Sequence, residues 1–325
     1  EANVIKRDYP VMVMIGNPPY NGSSTNKGEW IMSLMESYKR EPGGKLPLDE
    51  RNPKWLNDDY VKFIRLAQDY IERNGEGVIA FINPHGYLDN PTFRGMRWNL
   101  LKTFDKIYTI DLHGNSKKKE TCPDGSKDEN VFDIMQGVSI NLFVKTGKKA
   151  KDELGKVYHK DLYGLRQNKY DFLDNATLSN AGYEEVQPKG PMYFFVPKDF
   201  GLEETYNKGF KLDSLFQLTL LGPNSHRDDF AVCFTEQSAW KHITDFKDEN
   251  ISDDVIRNKY NLQDNRDWHL ADARKEIPDN AVPVKCLYRP FDFRYMLYGD
   301  FAFDYLRPQL NDNLLNSCSV FGINR

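Results

Sequence analysis

The apolar run Val11-Met12-Val13-Met14-Ile15 stops abruptly at Gly16-Asn17-Pro18-Pro19-Tyr20, and this junction constrains the fold more than any other stretch of the chain. A short, continuous apolar segment ended by proline reads as a strand buried on both faces, the kind found inside a parallel sheet. Two successive prolines fix φ and donate no hydrogen bond, so the corner after the strand is stiff. It carries two acceptors, the side-chain carbonyl of Asn17 and the backbone carbonyl of Pro18. Asn-Pro-Pro is also an ordinary turn, and a tyrosine after it can simply cover a core. Its place directly after a buried strand favours the functional reading.

The pattern continues downstream. A short helix is expected over 29–39, before the break Pro42-Gly43-Gly44. Val61, Ile64, Leu66, Ala67, Tyr70 and Ile71 fall at helical spacing and predict a helix over 58–72 that stops at Asn74-Gly75. Val78-Ile79-Ala80-Phe81-Ile82 repeats the buried-strand pattern and closes at Asn83-Pro84-His85-Gly86. A helix is expected over 92–104, and strands over 106–112 and 138–145, the last with Ile140, Leu142 and Val144 on one face. The polar insert 114–130 between those strands is expected to be a loop or a mobile hairpin. Strands alternating with helices predict an α/β fold with a largely parallel sheet. Ligands in such sheets bind beyond the carboxyl ends of the strands, which puts residues 17–20 and 83–85 on one rim.

After residue 145 the texture changes to charge-rich segments, short aromatic pieces and turns. The expected organisation is a first domain over 1–150, a linker or transition region over 151–189, and a mixed α+β domain over 190–325. Short pieces at 192–196, 215–221 and 284–287 and helices over 234–246 and 251–260 are the legible parts of the last domain. No internal repeat is evident.

Composition narrows the class. A chain that is 39% hydrophobic with 20 Phe and 18 Tyr is a folded protein rather than a disordered one. No apolar run approaches the roughly 20 residues that cross a bilayer, and Glu1-Ala2-Asn3 begins no signal peptide, so no membrane association is expected. Cys122, Cys233, Cys286 and Cys318 have no paired spacing, which argues against a zinc site or a disulfide framework and for a reducing, cytoplasmic home. No metal is assigned. A formal charge of −4 is mild evidence against nucleic-acid binding but leaves room for a local basic cleft.

The corner at Asn17 suits one kind of chemistry. An exocyclic amine on an aromatic base is a poor nucleophile, because its lone pair is delocalised into the ring. Two fixed acceptors taking both of its hydrogens would pull it toward tetrahedral geometry and stabilise the positive charge that appears as a carbon arrives. Tyr20 would stack on the base, which must first leave the duplex at a cost of a few kcal/mol.

Ile15-Gly16-Asn17-Pro18-Pro19-Tyr20 resembles the catalytic motif of amino-methyltransferases that use S-adenosylmethionine, in the form typical of adenine-N6 DNA methyltransferases. Gly77-Val78-Ile79-Ala80-Phe81-Ile82-Asn83-Pro84 is similar to the strand and loop on one side of that family's base pocket. Gln136-Gly137-Val138-Ser139-Ile140-Asn141-Leu142-Phe143-Val144-Lys145 resembles its late strand, which in the family is antiparallel to its neighbours. Tyr288-Arg289-Pro290-Phe291-Asp292-Phe293-Arg294 is similar to a motif of large single-chain restriction-modification enzymes, where methyltransferase and recognition domains follow nuclease and helicase parts.

The resemblance implies a partial Rossmann-like methyltransferase sheet over 1–150, followed by a DNA target-recognition domain. It implies catalytic roles for Asn17, Pro18, Pro19 and Tyr20, cofactor contact at Gly16 and Asn17, and substrate contact from Tyr20, Asn83, His85, Lys118, Arg289 and Arg294. The implied cofactor is S-adenosylmethionine. The implied partners are double-stranded DNA and an N-terminal remainder of the same polypeptide. The family's glycine-rich cofactor loop precedes its catalytic motif, and only 16 residues precede Asn17 here. The expectation is a piece of a longer protein, with its N-terminal strands missing and no activity of its own.

Blander readings stand beside several of these residues. His85 suits a satisfied structural histidine at least as well as a base contact. The run Lys117-Lys118-Lys119 suits a solvated loop face as well as phosphate contact. Arg289 and Arg294 around Asp292 suit guanine or phosphate recognition, or an internal ion-pair network. Two other functions remain open: a DNA-recognition or scaffold module without activity, and methylation of an RNA or protein amine. A serine hydrolase is disfavoured because no G-x-S-x-G elbow is present.

Overall fold

The computed structural model describes residues 9–50, 52–150, 152–215, 220–289 and 291–309. The chain divides into two compact units, Glu1–Gly201 and Leu202–Arg325.

The first unit is built on a six-stranded sheet. Its strands are β1 (Val13–Gly16), β2 (Gly77–Pro84), β3 (Lys106–Asp111), β4 (Val138–Lys145), β5 (Lys156–Asp161) and β6 (Glu184–Val186), in the order β1-β2-β4-β3-β5-β6. The sheet is mixed, not largely parallel as the alternation suggested. β1 runs parallel to β2 and β3 parallel to β5, while β4 is antiparallel to both β2 and β3, and β6 to β5. β4 therefore has the orientation that the resemblance implied.

Helices α1 (Glu29–Met35), α2 (Asp59–Asn74) and α3 (Arg94–Thr103) precede β3 in the chain. The Asp58 side chain caps the start of α2 by accepting from the Tyr60 amide, and Gly75 ends the helix in the left-handed conformation. Val61, Ile64 and Ile71 of α2 join Met96, Leu100 and Leu101 of α3 in one buried core with Ile79, Phe81, Ile107, Phe143 and Val157 of the sheet. A smaller cluster on Ile110, Leu112, Val131 and Val138 takes in Leu173 of α4 (Arg166–Asn175).

Along β1 the expectation of burial on both faces does not hold. Val13 is 57% and Ile15 80% exposed. In register they lie beside Val78 and Ala80 of β2, on the face opposite Ile79 and Phe81. Only the Met14 side packs against the core.

The transition region expected over 151–189 holds β5, α4 and β6, and so belongs to the first unit's sheet and its covering layer. Residues 192–196, expected as a short piece of the last domain, belong instead to the first unit and form no regular element. Arg97 of α3, fully buried, draws them in. Its guanidinium donates to the Met192 carbonyl at 3.0 and 2.7 Å, to that of Tyr87 at 2.7 Å and to that of Asn90 at 2.8 Å. Phe195 then packs edge-on against Tyr87.

The insert 114–130, expected to be a loop or a mobile hairpin, is a loop pinned at its base. Lys169 of α4 and Asp128 of the insert form an ion pair at 2.7 Å with both side chains fully buried. The ammonium also donates to the carbonyls of Leu112 and Glu129, each at 2.6 Å. The carboxylate accepts from the amides of Gly114 at 2.6 Å and Gly164 at 2.8 Å. Each desolvated charge is thus fully partnered, as burial at this depth requires.

The second unit carries a small antiparallel sheet in the order β7-β9-β8, from β7 (Val232–Cys233), β8 (Val284–Arg289) and β9 (Asp292–Met296). Helices α5 (Glu236–Lys247), α6 (Asp253–Tyr260) and α7 (Leu270–Glu276) supply Ile243, Phe246, Ile256, Leu270 and Ala273 to its core, with Trp268, Met296, Phe301 and Phe303. Residues 216–219 of the piece expected at 215–221, and Cys318, lie outside the described residues. Among the described residues, no helix is long and apolar enough to cross a membrane.

Replacing Lys169 by Met removes one half of the buried pair and leaves the Asp128 carboxylate without its counter-charge. The expected loss is about 3–5 kcal/mol of stability, read from urea denaturation. The double variant Lys169→Met/Asp128→Asn should recover part of it, and a fully additive loss would show that the two groups act independently.

Candidate active site at the strand rim

β1 and β2 are parallel neighbours with Gly16 beside Phe81, so the corner after β1 emerges beside the carboxyl end of β2. Pro18 is buried and fixes the corner to the unit, while Asn17 and Pro19 are exposed. A Cβ at Gly16 would stand in ordinary contact with the Phe81 ring, at 3.6 Å.

Tyr20 closes the corner. Its hydroxyl donates toward Asn17 Oδ1 at 2.8 Å and toward the Ile82 backbone carbonyl at 3.1 Å. One phenolic hydrogen is therefore shared between the Asn17 corner and the end of β2. Burial pushes the Tyr20 hydroxyl up to about 12, so it remains a donor throughout the neutral range. The ring is half-buried and meets Tyr60 of α2 edge-on, with centroids 6.5 Å apart. In this arrangement Tyr20 positions the Asn17 carboxamide, a role that reading the motif as a stacking platform missed. A carbonyl oxygen has two lone pairs, so Asn17 Oδ1 keeps one for a further donor.

Asn83 lies at the end of β2 and is fully buried. Its Oδ1 accepts from Asn141 at 3.0 Å, and its amide donates to the Pro84 carbonyl at 3.1 Å. Asn141 in turn accepts from the Tyr87 hydroxyl at 2.7 Å. An asparagine in the middle of the largely apolar β4 was the sequence signal for this network.

His85 is buried too. Its Nδ1 faces Asp111 at 2.9 Å, and its Nε2 faces the Asn115 amide at 3.4 Å. Gly137 makes room for the ring: a Cβ there would stand 2.5 Å from His85 Nε2.

A second histidine extends this layer. His113 lies between Glu120 at Nδ1 and Asp161 at Nε2, each 2.8 Å away, and stacks on Tyr163 with centroids 3.7 Å apart. Burial alone would push the imidazole down, but hydrogen bonds to Asp161 and Glu120 outweigh it and hold it up at about 9. Burial likewise works against the Glu120 carboxylate, yet its bonds to His113 and the Asn115 amide bring it down to about 2. His113 is thus a buried imidazolium between two carboxylates at neutral pH. Donor atoms of His85, Asp111 and His113 lie within 4.8 Å of one another, a spacing a metal ion could use. In this structure the same atoms are engaged in hydrogen bonds.

Lys118 sits in an exposed turn at Ser116–Lys118, beyond Asn115. The other expected contacts belong to the second unit. Arg294 forms an ion pair with Asp292 at 2.9 Å and lies over the rings of Phe234 and Tyr288 at 4.0 and 4.2 Å. Arg289 is exposed at the end of β8. Pro290 of the same motif lies outside the described residues. A cleft of about 960 Å³ opens elsewhere on the first unit, with Arg40, Trp98, Lys102 and Lys145 in its lining. It is at the opposite end of β2 from the Asn17 corner.

Comparison with known proteins adds two findings. Residues 214–321 match the family described as the Type ISP C-terminal specificity domain. The fold is similar to a number of solved structures, three of which follow. The ATP-dependent Type ISP restriction-modification enzyme LlaBIII bound to DNA is 22% identical over 93% of this chain and 21% of its own, with a TM-score of 0.63. A nuclease-deletion mutant of the Type ISP enzyme LlaGI, in complex with a DNA substrate mimic, is 21% identical over 92% of this chain and 26% of its own, with a TM-score of 0.61. The DrdV–DNA complex is 22% identical over 92% of this chain and 32% of its own, with a TM-score of 0.59. The chain thus spans less than a third of the length of each. No curated protein matches it in sequence.

Two outcomes are expected of this rim. His113 has a folded value of about 9 against an ordinary 6.5, so its stabilisation is complete below about pH 6.5 and is lost as pH rises through about 9. The stability gap between the native chain and His113→Gln should therefore narrow over that range in urea titrations. A gap that stays constant would show that His113 is not charged in the folded state. Tyr20→Phe should cost about 0.5–1.5 kcal/mol, the usual value of one hydrogen bond, and an unchanged denaturation midpoint would argue that the tether does not form.

Proposed function

We propose that this chain is the later half of an adenine-N6 DNA methyltransferase domain followed by a target-recognition domain, within a larger restriction-modification polypeptide. The observation that carries this reading is the Asn17 corner: an exposed carboxamide held by the Tyr20 hydroxyl at 2.8 Å, beyond the carboxyl end of a parallel strand pair. The antiparallel β4 supports a methyltransferase-like sheet of the Rossmann type. The match of residues 214–321 to a specificity domain supports recognition of duplex DNA by the second unit. The uncovered apolar face at Val13 and Ile15 is consistent with further chain packing there.

S-adenosylmethionine, when bound, supplies an electrophilic methyl group. Gly16 and Asn17 are the residues of this chain that fit the donor, because Gly16 carries no side chain to block it and the carboxamide is exposed. Asn17 Oδ1 and the Pro18 carbonyl accept from the amine of an adenine turned out of the duplex, localising its lone pair for attack. The hydrogen bond from Tyr20 sets the direction of Oδ1 in advance, so little reorganisation remains for the reaction itself. No general base is assigned.

One finding favours a narrower reading. The family match falls in the second unit, which suits a DNA-recognition module without activity of its own.

The deciding measurement is transfer of labelled methyl groups from S-adenosylmethionine to unmethylated duplex DNA, by a polypeptide that joins this chain to a cofactor-binding segment. Asn17→Ala should lower the rate about 100-fold, the scale of losing one preorganised polar group. Undiminished transfer would remove Asn17 from the mechanism, and label on cytosine would remove adenine. DNA binding with no transfer at all would leave the recognition module as the better reading.

A further inference from the structure

The β8–β9 ribbon of the second unit presents an uncovered face. Register places Lys285 beside Tyr295 and Leu287 beside Phe293. Leu287 is 60% and Phe293 61% exposed. Phe291, in the turn between the two strands, is 100% exposed and sits at a φ of +67°. A fully solvated phenylalanine in the left-handed region gains nothing from the fold, because it buries no area and occupies backbone space that bulky residues avoid.

The exposed charges of β8 beside it are cationic. Lys285 and Arg289 are exposed on β8, with the Lys285 ammonium 5.3 Å from the centre of the Phe293 ring. The nearby carboxylate, Asp292, is taken by Arg294, which is itself held between Phe234 and Tyr288. That arrangement stiffens the base of the ribbon, while Lys285 and Arg289, each near an aromatic ring, are exposed on this face.

We propose that this ribbon is a DNA-contacting wedge: Lys285 and Arg289 meet backbone phosphates while Phe291 enters the base stack. The inference rests on the reading that the second unit binds DNA. An aromatic tip flanked by cations matches what a duplex offers, anionic phosphates on either side of a stack of π-faces. A two-stranded ribbon also fits a groove of duplex DNA.

The test uses fluorescence anisotropy with a mixed-sequence duplex and with the same duplex carrying one mismatch. Phe291→Ala should fold as the native chain does, since the side chain touches nothing, and should weaken binding to the mismatched duplex about tenfold. Phe291→Trp should keep affinity and show indole quenching on binding. Native binding with Phe291→Ala within about twofold of it, or an unquenched Trp, overturns the wedge and leaves DNA recognition intact. No binding by the native chain to either duplex overturns the DNA reading, and the wedge with it. Self-association that Phe291→Ala abolishes while DNA binding persists would give the face to a second copy of this chain instead.

Discussion

A single phenolic hydrogen joins the two strand ends on which the candidate chemistry depends. The Tyr20 hydroxyl reaches both the Asn17 carboxamide and the Ile82 carbonyl near the end of β2. Without it, the exposed carboxamide would be free to rotate about its own side-chain bonds, and its oxygen would have no preferred direction. Because burial keeps that hydroxyl protonated, the link does not depend on pH in any range where the protein is expected to work. The prolines stiffen the backbone of the corner, and Tyr20 stiffens its side chain.

Beneath the rim, polar groups substitute for the apolar packing that usually ends a strand. Asn83, Asn141 and Tyr87 satisfy one another below the end of β2. His113 with its two carboxylates, and Lys169 with Asp128, tie the following loops to the sheet and to α4. Such groups tolerate burial only when every donor and acceptor is matched, so they specify loop positions more narrowly than apolar contacts would.

Local pattern made much of the first unit readable. β1 to β4 and the helices α2 and α3 carry strong periodicity, and Asn74-Gly75 ends α2 where expected. What the pattern hid was decided over long sequence separations. β5 reads as Lys-Val-Tyr-His-Lys-Asp, too charged to mark as a strand, and its register with β3 is what makes it one. The parallel direction was misjudged for the sheet because the long insert lets β4 return antiparallel, a choice no local spacing encodes. In the site, the motif located Asn17 and Tyr20. The task of the tyrosine hydroxyl, and the inward turn of Asn83 and His85, followed only from neighbours far away in the chain.

The guanidinium of Arg97 settles where this polypeptide can be divided. Its acceptors include the Met192 carbonyl, so the stretch around Met192 and Phe195 is packed into the first unit, which runs on to Gly201. Cutting the chain at residue 190 would strand a desolvated cation and strip the aromatic cover from Tyr87. A junction at Gly201 and Leu202 leaves both units whole, which makes that short stretch the natural seam of the chain.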